Sequence, residues 1–179
     1  MSIQQLLFNA DIDQMNKDLV DILKVTDWGD ENQIGLTHRP NAKDLYKDAV
    51  GSLYRDQKVM IANEQEFTEI NEQLPFYTNM ILHNFAKFQR IKLGRVRLMR
   101  LLPKRGLSFH RDATERYHLV LKTNIDSFIG FRAFKEDMVA GCYHIPRDGY
   151  FYRVDTTKMH FAYNAGAEER IHMVVVPRR

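Results

Sequence analysis

The spacing of apolar residues changes near residue 90, from a helical repeat to a strand repeat. That switch limits the chain to folds that collect helices in one half and strands in the other. From Asp11 to Leu23, the residues Ile12, Met15, Leu19, Ile22 and Leu23 fall three and four apart, which predicts an amphipathic helix. A second helical stretch is expected to open at about Glu66. Leu74-Pro75 resets it, because proline suits a first helical turn. Phe76 to Phe88 follows, with Met80, Ile81, Phe85 and Phe88 on one side. Gln33 to His38 reads as a short strand and Arg39-Pro40-Asn41 as a turn. Arg55 to Gln65 fits no single state.

After residue 90 every apolar run is strand-like: Arg95 to Leu102, Tyr117 to Lys122, Phe128 to Phe134, Gly141 to Ile145, Tyr150 to Val154, Lys158 to Tyr163 and Ile171 to Val176. Turns are expected at Pro103 to Gly106, Pro146 to Gly149 and Asn164 to Glu169. Short strands at near-regular spacing predict a sandwich or jelly roll, with the helices packed on one sheet. A length of 179 residues suits one domain, and no repeat or linker-like tract divides it. The expectation is one α+β, mainly β domain over 1–179, with a mostly helical flank at 1–90 and the strand core at 91–179.

Composition excludes some classes of function. The net charge is only +3. A dedicated nucleic-acid binder gathers Lys and Arg on one face. The one concentration here is Lys87, Arg90, Lys92, Arg95, Arg97 and Arg100, most of it alternating with Ile91, Leu93, Val96, Leu98 and Met99. That pattern predicts a strand with one solvated face, so nucleic acid is not the expected partner. Cys142 is the only cysteine, which rules out an internal disulfide and suits a reducing cytoplasm. It sits in an apolar stretch and is expected to be buried. Met1 to Ala10 lacks the features of a secretory signal. No run approaches the ~18 apolar residues of a membrane span.

The chemistry starts at His110-Arg111-Asp112. Side chains two apart on an extended segment share a face, so one imidazole and one carboxylate can reach the same metal. A third ligand must come from elsewhere, and His160 on a late strand is the best candidate. Two histidines and one carboxylate on one face of an octahedron leave open positions, as iron(II) sites require when they bind a co-substrate and dioxygen. His-x-Asp alone arises often by chance; read alone, His110 fits a surface or capping residue. Arg170 adds weight. It lies ten residues after His160, about one hairpin further on. A guanidinium forks onto a carboxylate, which suits a dicarboxylic co-substrate. Its simpler reading is a hairpin ion pair with Glu168 or Glu169. Arg116 and His118 also share one strand face.

Taken together, several segments resemble the aspartyl/asparaginyl β-hydroxylase family of 2-oxoglutarate/iron(II) oxygenases. They are Arg97 to Pro103, Ser108-Phe-His110-Arg-Asp112, Arg116-Tyr-His118-Leu-Val-Leu-Lys-Thr-Asn124, Gly149, Asp155, His160, Asn164 and Arg170-Ile-His172. The resemblance covers residues from about 95 to 176. It implies a double-stranded β-helix with His110, Asp112 and His160 as metal ligands. It implies Arg170 on the distal carboxylate of 2-oxoglutarate, and Arg116 and His118 near its metal-chelating end. Asp112 completes the triad, which implies hydroxylation and not halogenation. Met99 stands where some members carry a hydroxyl residue that helps hold the distal carboxylate. The implied cofactors are Fe(II), 2-oxoglutarate and O2. The implied reaction hydroxylates an Asp, Asn or Pro unit, free or in a peptide, and releases succinate and carbon dioxide.

Arg100, Arg132, His144, Tyr150 and Tyr152 are candidates for an outer pocket. Two other readings compete: a cupin-like metal- or ligand-binding protein without turnover, and an oxygenase that contacts nucleic acid through Lys87 to Arg100. Glu115, Glu136 and Asp137, expected near the pocket mouth, count against the second.

Overall fold

The computed structural model describes residues 2–55, 59–60, 62–133 and 139–178, with the backbone alone at 54, 55 and 59. In chain order its elements are β1 (Ile3–Asn9), α1 (Ile12–Ile22), β2 (Gln33–Gly35), β3 (Thr37–His38), β4 (Tyr54–Arg55), β5 (Val59–Met60), a 3-10 turn (Glu64–Glu66), β6 (Glu69–Ile70) and α2 (Phe76–Gln89). There follow β7 (Lys92–Leu101), β8 (Arg105–His110), β9 (Arg116–Lys122), β10 (Ser127–Arg132), β11 (Val139–Tyr143), β12 (Tyr150–Val154), β13 (His160–Asn164) and β14 (Arg170–Arg178). They form two compact units, Met1–Ile12 with Arg100–His172, and Asp13–Met99 with Met173–Arg179.

The first unit is a jelly roll of two antiparallel sheets. One runs β1–β12–β9 and on to the opening residues of β14; the other runs β11–β10–β13–β8. Alternation along each strand decides what lies between them. Val120, Tyr152 and Val154 from the first sheet meet Ile129, Phe131 and Ala162 from the second, and Ile145 completes the cluster. Burying each of the larger side chains contributes roughly 1.5–3 kcal/mol. Phe151 points to the opposite face and meets Phe8 edge-on, with ring centroids 5.6 Å apart.

Strand β1 departs from the helical reading of the N-terminal half. Its register, Ile3 opposite Val154 and Gln5 opposite Tyr152, comes from a partner near the other end of the chain. The strand is closed by Ala10, whose N–H donates to Gly149 O at 2.9 Å. Gly149 holds a φ of +84°, and a Cβ there would come within 2.8 Å of Ala10 O, so the turn requires glycine.

In the second unit α1 buries Ile12, Met15, Leu19 and Ile22, nearly the predicted face. Helix α2 buries Thr78, Ile81, Leu82 and Phe85 but leaves Phe88 exposed. Its N-cap, Pro75, has no side chain to bond the first turn. Buried Asp18 of α1 supplies that function, accepting from Thr78 N and Thr78 Oγ1, each at 2.7 Å. The helix expected to open near Glu66 is absent. Asn63 and Glu66 close a capping box around a single 3-10 turn, and the chain then pairs β6 with β3.

Two further expectations are corrected. The basic residues of β7 do not form a solvated face, because Arg95 and Arg97 are buried. Both guanidiniums point into protein of the same unit. Arg95 donates to Ala49 O at 2.8 Å and Gly51 O at 2.5 Å and stacks over Phe67; Arg97 donates to Gln33 Oε1 at 2.7 Å. Cys142 is exposed and not buried, because β11 is the outermost strand of its sheet and its burial pattern is largely open. Phe134, Glu136 and Asp137 lie outside the described residues. No helix of the described residues is long and apolar enough to cross a membrane.

Candidate metal centre

Three side chains converge at one end of the jelly-roll unit. His110 ends β8 and His160 opens β13, and the two are direct cross-strand partners. A bulge makes this possible. Ala162 pairs with Leu107, so two steps along β13 match three along β8, and the extra residue turns His110 to the face of His160. Their ring centroids lie 4.3 Å apart. Asp112 lies just past β8, where its N–H donates to Thr156 O at 2.9 Å. Thr156 is anchored in turn by its buried hydroxyl, which donates to Thr114 O at 2.8 Å. Asp112 Oδ2 is 3.8 Å from His160 Nε2. One ligand atom from each of the three residues lies within 4.8 Å of the others.

The hydrogen bonds around the rings leave the correct nitrogens free. His110 Nδ1 is 2.7 Å from Ser108 O, and His160 Nδ1 is 2.9 Å from Lys158 O. A carbonyl only accepts, so each Nδ1 carries the proton and each Nε2 keeps a lone pair. Burial lowers the pKa of His160 and so favours the neutral ring that a metal needs. Arg116 occupies the other side of the carboxylate, with a terminal nitrogen 3.2 Å from Asp112 Oδ1 and a second on Thr114 Oγ1 at 2.5 Å. Oδ2 is thereby left toward the histidines. Two imidazoles and one hard carboxylate fit iron(II), and the set can leave coordination positions for other ligands.

Deeper along the inner face lies a second polar group. His118 is two residues beyond Arg116 on β9, and Tyr152 is its cross-strand partner. Arg170 and His172 are two apart on β14, and all three side chains are buried. Arg170 contacts His172, and His172 Nδ1 is 3.3 Å from His118 Nδ1. No carboxylate of the described residues pairs with Arg170; Glu169, expected as its simple partner, faces Lys122 and Arg100, and Glu168 faces Lys122. Burial lowers the pKa of Arg170 to about 10, so it stays charged at neutral pH. His118 Nε2 is buried without a hydrogen-bond partner among the described residues. A buried cation and an orphaned imidazole nitrogen in the same interior suit an anionic ligand.

The same burial has a pH consequence. First by desolvation and then by the Arg170 charge, His118 and His172 titrate well below 6.5. The folded state therefore binds fewer protons than the unfolded state just below that value, and stability rises with pH there. The melting temperature of the ligand-free protein should hold above pH ~6.5 and fall as pH drops toward 5. Thermal unfolding across that range would count against neutral rings if the midpoint stayed flat.

The structure brings all six predicted site residues into one unit: His110, Asp112 and His160 together at one end, Arg116 on Asp112, and His118 and Arg170 buried in the same unit. The expected hairpin to Arg170 is instead a crossing between sheets, because β13 and β14 belong to different ones. The outer-pocket candidates scatter. Only Arg132 lies at the metal end, where its N–H donates to Met159 O. His144 donates to Ser127 O at the far end, Arg100 faces Glu169, and Tyr152 is packed in the core with its hydroxyl on Asp148. Glu115 is tied to Arg153 at 2.6 Å. Sequence reasoning assigned no role to Thr114, Thr156 or His172, although the i, i+2 spacing of Arg170 and His172 was a usable signal.

Asn164 holds the crossing in place. It is fully buried at the end of β13. Its Oδ1 accepts from Ser127 Oγ at 2.8 Å and Asn124 Nδ2 at 3.0 Å, and its Nδ2 donates to Glu168 O at 2.7 Å and Leu101 O at 3.1 Å. Asn164→Leu keeps the size and orphans these groups, at about 1–3 kcal/mol for each one left buried and unpaired. The expected loss is about 3 kcal/mol, or roughly 6–12 °C in melting temperature.

Comparison with known proteins places this geometry. A model of the aspartyl/asparaginyl β-hydroxylase family matches residues 10–179. No curated protein matches the sequence. Among solved structures, a non-haem α-ketoglutarate-dependent carbocyclase, SnoK, from nogalamycin biosynthesis aligns with a TM-score of 0.53 at 13% identity, over 99% of this chain and 79% of that one. An oxidoreductase of the 2OG-Fe(II) oxygenase family from Burkholderia pseudomallei aligns at 0.51 and 13% identity, over 97% and 82%. A prolyl-4-hydroxylase from Pseudomonas putida aligns at 0.50 and 9% identity, over 99% and 88%. At these identities the likeness is one of fold. The capsular polysaccharide assembling protein CapF from Staphylococcus aureus aligns at only 0.39 and 17% identity, over 48% of this chain and 25% of that one, so this chain spans about a quarter of it. The family match covers nearly the whole chain and the fold agrees with it: the chain belongs to the aspartyl/asparaginyl β-hydroxylase family, whose members are 2-oxoglutarate- and iron(II)-dependent oxygenases.

Proposed function

We propose that the chain hydroxylates a C–H bond of an amino acid or of an Asp-, Asn- or Pro-type peptide unit, with residues 1–179 acting as one oxygenase domain. His110, Asp112 and His160 hold iron(II), and Arg170 binds the distal carboxylate of 2-oxoglutarate. The observation that carries the reading is the buried Arg170 guanidinium, which meets no carboxylate of the described residues and lies in the same interior as the triad. When bound, iron(II) couples the reaction of dioxygen with 2-oxoglutarate, which yields succinate and carbon dioxide, to hydroxylation of the substrate. The chain's own groups do the rest. The Nδ1 protons of His110 and His160 are held on backbone carbonyls, which keeps both Nε2 atoms aimed as ligands. Arg116 fixes the orientation of Asp112. The apolar cluster of Val120, Ile129, Phe131 and Val154 keeps water out of the barrel.

Arg95 and Arg97, the centre of the basic strip, are buried, which weakens the case for a nucleic-acid substrate.

The test uses the purified protein with iron(II), 2-oxoglutarate and ascorbate against a panel of amino acids and short peptides. Succinate release coupled to a product heavier by one oxygen atom is expected. Iron binding without succinate release from any panel member would instead favour a cupin-like binding protein.

A further inference from the structure

We propose that His172 is a positioning residue for the co-substrate pocket. It accepts a hydrogen bond from Arg170 and, through its other ring nitrogen, holds His118 as the tautomer that carries its proton on Nε2. Arg170 and His118 are then both donors to the bound co-substrate. This rests on the reading of the pocket as the 2-oxoglutarate site.

The assignment follows from counting donors and acceptors among three buried side chains. Arg170 has only donors. Its Nε lies 3.0 Å from His172 Nε2 and its terminal nitrogen 2.9 Å from His172 Nδ1. His172 Nδ1 is also 3.3 Å from His118 Nδ1. Both rings are neutral in this buried, cationic setting, so each has one N–H and one lone pair.

Two arrangements are open. With the proton of His172 on Nδ1, Nε2 accepts from Arg170 Nε and Nδ1–H donates to His118 Nδ1. That makes two hydrogen bonds and leaves one unfavourable contact, between the terminal nitrogen of Arg170 and Nδ1. With the proton on Nε2, the ring N–H confronts Arg170 Nε–H at 3.0 Å, and the single lone pair on Nδ1 must serve Arg170 and His118 together. The first arrangement satisfies more groups and is the one the geometry favours.

Its consequence lies at the far end of the relay. If His118 Nδ1 accepts, its proton is on Nε2, the atom that is buried with no partner among the described residues. An unmet buried donor costs about 1–3 kcal/mol, which a co-substrate oxygen recovers on binding. The alternative would point a bare lone pair at the same oxygen and repel it. His172 therefore steers the Arg170 fork and sets the polarity of His118.

The decisive measurement is a long-range proton–nitrogen NMR correlation on histidine-labelled, zinc-loaded protein. His118 should show a protonated Nε2 and a bare Nδ1. Two variants then connect the tautomer to binding, measured by calorimetry with 2-oxoglutarate on the same zinc-loaded form. His172→Leu removes both functions; binding should weaken at least tenfold while zinc is retained, and the Nδ1–H form of His118 should appear. His172→Gln keeps an acceptor and a donor on one amide, and should recover binding to within a few-fold of the native protein. In iron-loaded turnover the leucine variant should raise KM for 2-oxoglutarate with little change in kcat.

Should His172→Leu fail to fold, the tautomer in the native protein still decides. A native His118 protonated on Nδ1, or a leucine variant that binds 2-oxoglutarate normally, overturns the role of His172 while leaving the site itself standing. Absence of 2-oxoglutarate binding to the native protein overturns the site reading, and the pocket role of His172 with it.

Discussion

Replacing Arg170 with methionine should raise the melting temperature of the ligand-free protein and abolish its stabilisation by 2-oxoglutarate. The two effects have one cause. The guanidinium is buried beside neutral imidazoles, and no carboxylate of the described residues offsets its charge. Burial lowers its pKa from the ordinary guanidinium value to about 10. A lowered pKa means that the folded state disfavours the protonated form. The stability missing on this account is lost as pH falls from the ordinary guanidinium pKa to about 10 and stays lost at neutral pH. At ~1.4 kcal/mol per pKa unit the cost is on the order of 3 kcal/mol. Methionine has a similar length and no charge to desolvate, so the empty protein should gain stability.

The loaded protein should lose far more. Removing one partner of a buried, hydrogen-bonded charge pair costs roughly 2–5 kcal/mol, so the dissociation constant for 2-oxoglutarate should rise about a hundredfold to a thousandfold. Iron affinity should stay within a few-fold, because Arg170 does not touch the triad. Thermal shift with and without 2-oxoglutarate, together with a metal titration, checks all three statements. A variant less stable than the native protein when empty would mean that Arg170 serves the fold and not a ligand.

Asp112→Ala should remove iron binding and succinate release together. Changes to groups that only support metal ligands cost about 10–100-fold, so loss of a ligand should cost more, at least about a thousandfold in turnover. The substitution also takes from Arg116 the carboxylate 3.2 Å from its guanidinium, which leaves a buried cation facing the two histidines. Asp112→Ala should therefore bind divalent metal worse than either histidine-to-alanine variant. Metal content after dialysis against iron(II) and a coupled succinate assay provide the measurement. Full turnover in Asp112→Ala would remove Asp112 from the ligand set, and full turnover in His110→Ala would do the same for His110.

Much of the architecture was readable from residue spacing. The β12 strand, Tyr150–Val154, falls where alternation predicts it, and α1 and most of α2 follow the three-and-four repeat. These elements are legible because a local period directly reports which face is buried. The failures share a different cause. Strand β1 takes its state from β12, a partner at the far end of the chain, so its own seven residues carry little signal. Arg95 and Arg97 read as surface because charged side chains are rarely fully buried; the carbonyls of Ala49 and Gly51, the Glu64 carboxylate and the amide of Gln33 help make that burial tolerable. Cys142 reads as core from its apolar neighbours, but β11 is an outermost strand. The stretch near Glu66 has helical composition and a capping box, yet pairing with β3 ends it after one turn.

The sequence by itself determined the chemical inventory: two imidazoles, a carboxylate and a guanidinium of suitable types, on segments whose alternation puts Arg116 with His118 and Arg170 with His172 on shared faces. Covalent order and the two-residue period of a strand are enough for that. Only the tertiary structure decided that these groups meet. The β8 bulge turns His110 toward His160, Thr156 holds the backbone of Asp112, and the crossing between sheets at Asn164 carries Arg170 and His172 into the interior beside His118. Each of these depends on contacts between residues far apart in the chain, and no local period encodes a partner's identity or the water it displaces.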